Sequence, residues 1–153
     1  MLLSALAVLL AQPVSADRGE RAMVQADGSL KIRGKTVHLF GIWIPPTNRI
    51  CRTTFDPPLC GSRAVTALEL KIQSFVFCEP VSRNRDRSVN ALCAIRCTVG
   101  SGRCREDLST WMLQQGWAIA TPDAPFQFHA LERIARTRGL GVWGFQVDSI
   151  TRR

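Results

Sequence analysis

The chain has 153 residues, with 20 Lys and Arg residues against 12 Asp and Glu residues, and a formal net charge of +8. It contains no internal repeat and no low-complexity tract, which leaves one domain, long enough to bury a core, as its natural organisation. The excess of Arg favours a polyanionic partner, such as nucleic acid, an anionic polysaccharide or a membrane surface, but it fits a solvated basic face equally well.

The first sixteen residues, "MLLSALAVLLAQPVSA", carry no charge. Their apolar run is too short to span a bilayer, which takes about 20 residues, and "VSA" at its end is a small-x-small cleavage pattern. We therefore predict a secretory signal peptide over residues 1–16 and a single mature domain over 17–153. The mature chain is predicted to be periplasmic or secreted, with no transmembrane segment. The alternative is an apolar N-terminal helix packed on the domain, since no basic segment precedes the run.

Residues 21–42 alternate apolar and polar side chains around two turn signals, Asp27-Gly28 and Arg33-Gly34, which predicts a three-stranded meander. The Pro-rich stretch 45–61 is predicted to be a loop. Residues 62–72 follow helical spacing. The apolar face of that predicted helix consists of Ala64, Val65, Leu68 and Ile72.

The segments 74–80 and 88–95 are predicted strands, joined by the Arg-rich turn "VSRNRDR". A helix is predicted over 105–116, where acidic residues lie in the first turn and Gly116 ends it. A short extended piece follows at 117–120. Trp111, Trp117 and Trp143 fall on positions expected to pack.

The last helix is predicted over Phe126–Arg138, with Gly139 as its stop. Its apolar stripe consists of Phe128, Leu131, Ile134 and Ala135. Strands first and helices later predict an α+β domain built on a barrel of about five strands.

Six cysteines in an exported chain indicate disulfides. A metal cluster is the alternative, but there is no C-x-x-C pair, and His38 and His129 lie far from the thiols in sequence. We expect no metal and no other cofactor. Spacing alone leaves the pairing open; the predicted antiparallel strands, the turn "TVGSGR" and the Pro-rich loop each bring one pair together. The expected pairs are Cys78–Cys93, Cys97–Cys104 and Cys51–Cys60.

Several segments, in order, resemble the staphylococcal nuclease-like (thermonuclease) family, especially its exported, cysteine-bearing bacterial members. They include "VHLFGIWIPP", "CGSRAVTALELKI", "EDLSTWMLQQGWAIA" and "LERIARTRGLGVWG", and the match covers about residues 22–144. The resemblance implies a five-stranded oligonucleotide-binding-type β-barrel with three α-helices. It also implies calcium-dependent phosphodiester hydrolysis, in which a carboxylate activates water, acidic side chains hold the metal and two arginines stabilise the transition state.

The positions that match this family's site do not carry its chemistry. His38 stands where the family has its first arginine, Trp43 where it has a metal-binding aspartate, and Pro46 where it has the general base. Gly28 replaces the second metal carboxylate, and the spacing from the strand cysteines places Ser88 at the second arginine. The resemblance therefore predicts a degenerate site with neither catalytic nor metal-binding residues.

Three side chains near this site have two interpretations each. Arg87 is one step from Ser88 and points to the opposite face of a strand, unless a bulge brings it back. His38 is a new base or ligand, or a hydrogen-bonded wall residue. Trp43 is a stacking platform for a base or sugar, or a plug in the vacated cleft.

Six cations crowd two of the predicted turns and form a candidate polyanion-binding edge, the alternative being two solvated turns. We predict an exported, non-catalytic binding or scaffold domain for an anionic polysaccharide or nucleic acid, bound weakly and in a salt-sensitive way, or for a protein partner. Some exported relatives are labelled as exopolysaccharide-biosynthesis proteins. The alternative is a calcium-dependent phosphodiesterase or nuclease with residual or altered activity. The six cations are Lys31, Arg33, Lys35, Arg83, Arg85 and Arg87.

Overall fold

A computed structural model of the protein describes residues 19–45, 60–73, 75–99 and 102–144. It has a mixed α+β fold with a nearly closed, barrel-shaped sheet and three helices. The strands are β1 (Glu20–Arg21), β2 (Met23–Val24), β3 (Leu30–Ile32), β4 (Lys35–Leu39), β5 (Ile42–Trp43), β6 (Phe75–Arg83), β7 (Val89–Val99), β8 (Gly102–Asp107) and β9 (Ile119–Ala120).

The barrel nearly closes because one strand joins both edges of the sheet. The strand order is β1-β6-β7-β4-β3-β2, and β1 and β2 are consecutive pieces of chain separated only by Ala22. Taken as one strand, these pieces pair with β6 on one side and with β3 on the other. This confirms the α+β, oligonucleotide-binding-type barrel: the six strands on this path are the five predicted ones with the first divided in two.

Alternating burial explains why these segments are strands. On β7, Ala91, Cys93 and Ile95 point into the core, while Leu92 and Arg96 are exposed. β4 shows the same period, and it pairs in parallel with β7. This parallel pair places the start of β4 beside the start of β7, so that two separate turns meet at one end of the barrel.

The β7–β8 hairpin is longer than predicted. The strands continue through Cys97 and Cys104, which lie opposite each other and form a disulfide, as Cys78 and Cys93 do between β6 and β7. Both predicted pairs are confirmed. The third, Cys51–Cys60, stays a prediction, because Cys51 lies outside the described residues, as does most of the predicted loop at 45–61.

The three helices are α1 (Cys60–Lys71), α2 (Leu108–Gln114) and α3 (Phe126–Thr137), followed by a 3₁₀ turn at Gly141–Gly144. The predicted start of α2 at residue 105 is wrong, because residues 105–107 belong to β8. The Asp107 carboxylate accepts a hydrogen bond from the Thr110 backbone N–H at 2.7 Å and caps the helix, so the helix begins after this residue.

The core fills the barrel and the space beneath α1 and α2. Leu68 and Ala64 of α1 are fully buried, as are Met112 and Leu113 of α2. Trp111 and Trp117 pack against this cluster as predicted, and Arg136 covers the half-buried Trp143 ring at 4.2 Å. No helix of the described residues has the length and apolar character needed to cross a membrane.

The predicted apolar stripe of α3 is wrong at one position. Ile134 is 48% exposed, whereas the neighbouring Glu132 is only 9% exposed. The Glu132 carboxylate is buried because it accepts a hydrogen bond from the Ala120 backbone N–H at 2.8 Å, and Arg136 donates to its other oxygen at 3.3 Å. A charged side chain therefore fixes β9 to α3, a role that hydrophobic spacing does not reveal.

Candidate functional site

Two turns of the barrel are built in the same way. The first spans residues 25–29 between β2 and β3, and the second spans residues 84–88 between β6 and β7. In each turn an Asp carboxylate accepts hydrogen bonds from the backbone N–H and the hydroxyl of the Ser two residues later. These distances are 2.9 and 2.6 Å for Asp27 and Ser29, and 3.0 and 2.6 Å for Asp86 and Ser88. The shared pattern D-x-S thus holds both turns rigid.

The two turns differ at their left-handed residue. Gly28 has a φ of 78° and Arg87 a φ of 68°. A side chain is excluded at Gly28, because a Cβ atom there would lie 2.7 Å from the Cβ of Ile44. At Arg87 the second turn carries a long cationic side chain in a conformation that disfavours any residue with a Cβ by about 1–2 kcal/mol. Arg33, in the β3–β4 turn, also has a positive φ, 49°, so such strain indicates a function only where the surroundings of the side chain support one.

Both turn carboxyls are held in their ionised form. Hydrogen bonds from the hydroxyl and then the backbone N–H of Ser88 lower the pKa of Asp86 below its ordinary value. Partial burial raises the pKa of Asp27, but the hydrogen bonds from Ser29 outweigh burial and the net shift is downward. His38 adds a smaller lowering to the pKa of each carboxyl.

Four of the five positions that the resemblance assigns to a family site lie in the described residues. His38 is half-buried on β4, opposite Asn90 of β7, and Trp43 is half-buried on β5, opposite Ile119 of β9. Ser88 is buried, with its hydroxyl committed to the turn. Gly28 is buried against Ile44, as described above, and Pro46 lies outside the described residues.

A metal site is not rebuilt nearby within the part of the chain that the structure describes. There, no group of three or more His, Cys, Asp or Glu side chains is arranged to hold a metal ion. Asp27, His38 and Asp86 do not form such a group.

A groove of about 590 Å³ lies between the β3–β4 turn and the β6–β7 turn, and we call it the basic groove. The parallel pairing of β4 with β7 forms it. Val37 lies opposite Val89, and the residues that precede each of them line the two sides of the groove. Its lining combines cations with hydroxyl and amide groups. The lining residues are Gly34, Lys35, Thr36, Arg83, Asn84, Asp86, Arg87, Ser88 and Val89.

Only half of the six predicted cations line this groove. Lys35, Arg83 and Arg87 do, so the two basic turns of the sequence face one cavity. Arg33 instead forms an ion pair with Glu20 at 3.0 Å. The other two, Lys31 and Arg85, are exposed and lie outside the lining.

An amide network that the sequence did not reveal braces the groove. The Asn84 side chain donates to the hydroxyl of Ser88 at 2.9 Å, and Asn90 donates to Asn84 at 3.0 Å and to Ser82 at 3.0 Å. A register shift between Pro80 and Ser82 brings these polar groups together. No local pattern marks such a shift, so the asparagines gave no signal of their own.

Comparison with protein-family models and with curated protein sequences finds no match to this chain. The chemistry of the basic groove must therefore be inferred from its own side chains. Two guanidinium groups and one ammonium group face a single carboxylate that is already hydrogen-bonded to Ser88. These groups can bind an anion by charge and by forked hydrogen bonds, and they include no free base that could activate water.

Proposed function

We propose that this protein is an exported, non-catalytic module that binds an anionic polymer in the basic groove. The proposal rests on the backbone conformation of Arg87. This cation is left-handed at the position where the other D-x-S turn has Gly28. Glycine would relieve the strain at that position. The use of arginine there is explained if its guanidinium group is needed where it lines the groove beside Arg83 and Lys35.

Charge supports a polymer as the ligand. The net charge of +8 attracts polyanions over a distance set by the ionic strength, and the open groove offers several cations along one surface. Because no aromatic ring is among the lining residues, stacking of bases is not expected to contribute. We therefore expect weak, salt-sensitive binding of phosphate, sulfate or carboxylate polymers without sequence preference.

Export is supported by two kinds of observation. The Cys78–Cys93 and Cys97–Cys104 disulfides fit an oxidising compartment. The first sixteen residues have the apolar run and the small-residue end of a secretory leader. Together they favour the periplasm or the extracellular space as the place where the protein acts.

We further propose descent from the staphylococcal nuclease-like family, for which the barrel with three helices and the sequence motifs are the support. Gly28, His38, Trp43 and Ser88 stand where that family has its metal ligand and charged groups, so calcium-dependent hydrolysis is not expected. Cleavage of single-stranded DNA that calcium supports and a chelator abolishes would favour the alternative, a phosphodiesterase with altered activity.

Binding to a sulfated polysaccharide and to single-stranded DNA, measured by calorimetry at low and moderate salt, tests the proposal. The double variant R83S/R87S should lose at least about tenfold in affinity for whichever polymer binds, because charge-assisted contacts dominate. The double variant R133S/R138S is the matched control, since it removes the same charge from exposed positions on and just after α3. Equal losses in both variants would contradict a groove site. No binding to either polymer would favour a protein partner.

A further inference from the structure

Three arginines share one face of the β7–β8 hairpin. Arg96 lies directly opposite Arg105, and Arg103 lies two residues before Arg105 and therefore on the same face. Like charges directly opposite each other on neighbouring strands repel. We call Arg96, Arg103 and Arg105 the second basic cluster.

A buried ring holds two of these arginines in place. The guanidinium carbons of Arg96 and Arg105 lie 4.9 and 4.7 Å from the centre of the Phe77 ring. Phe77 is on the same face of the sheet, through its pairing with Ala94, yet it is only 7% exposed. Cation–π contact at these distances fixes both side chains, so that less conformational entropy is lost when they bind a ligand.

Among the described residues, two acidic side chains of this face lie on one side of the cluster. Glu79 and Asp107 line a depression of about 150 Å³ beside Arg105, and the Asp107 carboxylate is engaged in capping α2. Neither Arg96 nor Arg103 lines that depression. The side of the cluster away from it presents two exposed arginines, Arg96 and Arg103, to solvent.

We propose that the second basic cluster binds a phosphate, sulfate or carboxylate group of the same polymer that occupies the basic groove. Arg96 follows Val89, at the edge of the groove, by seven residues on β7, which corresponds to about 23 Å at the rise of a strand. A longer chain reaches both sites, and its second attachment is then intramolecular. The inference rests on the proposed function, because it assigns both sites to one polymer.

Binding of tripolyphosphate and of long-chain polyphosphate at fixed ionic strength tests the inference, since these probes differ in length and contain neither base nor sugar. The ratio of long-chain affinity to tripolyphosphate affinity should be at least about tenfold larger for the wild type than for R96S/R105S. The variant R103S leaves the contacts of Phe77 with Arg96 and Arg105 in place. It should reduce long-chain affinity by about threefold and change tripolyphosphate affinity less. R133S/R138S should keep the wild-type preference.

The outcomes separate the two proposals. If R103S and R96S/R105S, shown to be folded by circular dichroism, keep the wild-type preference for the long chain, the second site is wrong. If tripolyphosphate affinity is unchanged in R83S/R87S, the basic groove itself is wrong. Loss of the length preference together with retained tripolyphosphate binding supports both.

Discussion

Replacing Arg87 by Gly should stabilise the protein while weakening its binding to a polyanion. The left-handed backbone at Arg87, with a φ of 68°, disfavours a side chain by about 1–2 kcal/mol. Glycine relieves this strain, but its greater conformational freedom in the unfolded chain lowers the unfolding free energy by about 0.5–1 kcal/mol. The net gain in unfolding free energy is therefore about 0–1.5 kcal/mol with a centre near 0.75 kcal/mol, which corresponds to an increase in Tm of about 2 °C for a domain of this size.

Urea denaturation and a thermal melt measure this gain, and calorimetry with a sulfated polysaccharide measures the binding. Arg85→Gly is the matched control, because it removes the same charge from the same turn at a residue whose φ is not positive. R85G should lose about 0.5–1 kcal/mol of stability, since no strain is relieved. If R87G is no more stable than R85G, the left-handed residue is not strained. If R87G binds as tightly as the wild type, strain is not retained for binding.

Three further predictions concern stability. Ser88→Ala removes the hydroxyl hydrogen bond that lowers the pKa of Asp86, while the bond from the backbone N–H remains. Its destabilising effect should be larger at pH 7 than at pH 2.5, because this contribution exists above about pH 3.9 and disappears below the folded pKa; equal effects would contradict it. Glu132→Ala should cost about 1–3 kcal/mol in urea melts by leaving a buried backbone N–H without an acceptor, whereas Glu132→Gln retains an acceptor and should cost less; the reverse order would contradict this. Replacing Cys78 and Cys93 together by Ala should cost about 3 kcal/mol in unfolding free energy, and no change would show that the crosslink does not constrain the unfolded chain.

Local patterns in the sequence predicted most of the fold. The alternation around Asp27-Gly28 and the spacing of Ala64, Val65 and Leu68 placed the first strands and α1, because burial follows the period of each element. The start of α2 was misplaced because acidic residues before a helix suit both its first turn and its cap. Only the hydrogen bond from Thr110 to Asp107 distinguishes them.

Long-range pairing explains what the sequence could not predict about the site. Lys35 and Arg87 are far apart in the chain, and they line one groove only because β4 and β7 pair in parallel. Parallel pairing has no local turn signal. The left-handed backbone at Arg87 was equally hidden, since glycine or asparagine is the usual residue there.

Chemical-shift perturbation in the ¹⁵N-labelled protein, titrated with tripolyphosphate, tests the basic groove most directly. The backbone amides of Gly34, Lys35, Arg87 and Ser88 lie along its lining and should shift progressively at low salt. These shifts should disappear as salt rises, because the binding is electrostatic. Shifts confined to α3, or none at these four amides while binding is measurable by calorimetry, would contradict the assignment of the groove as the binding site.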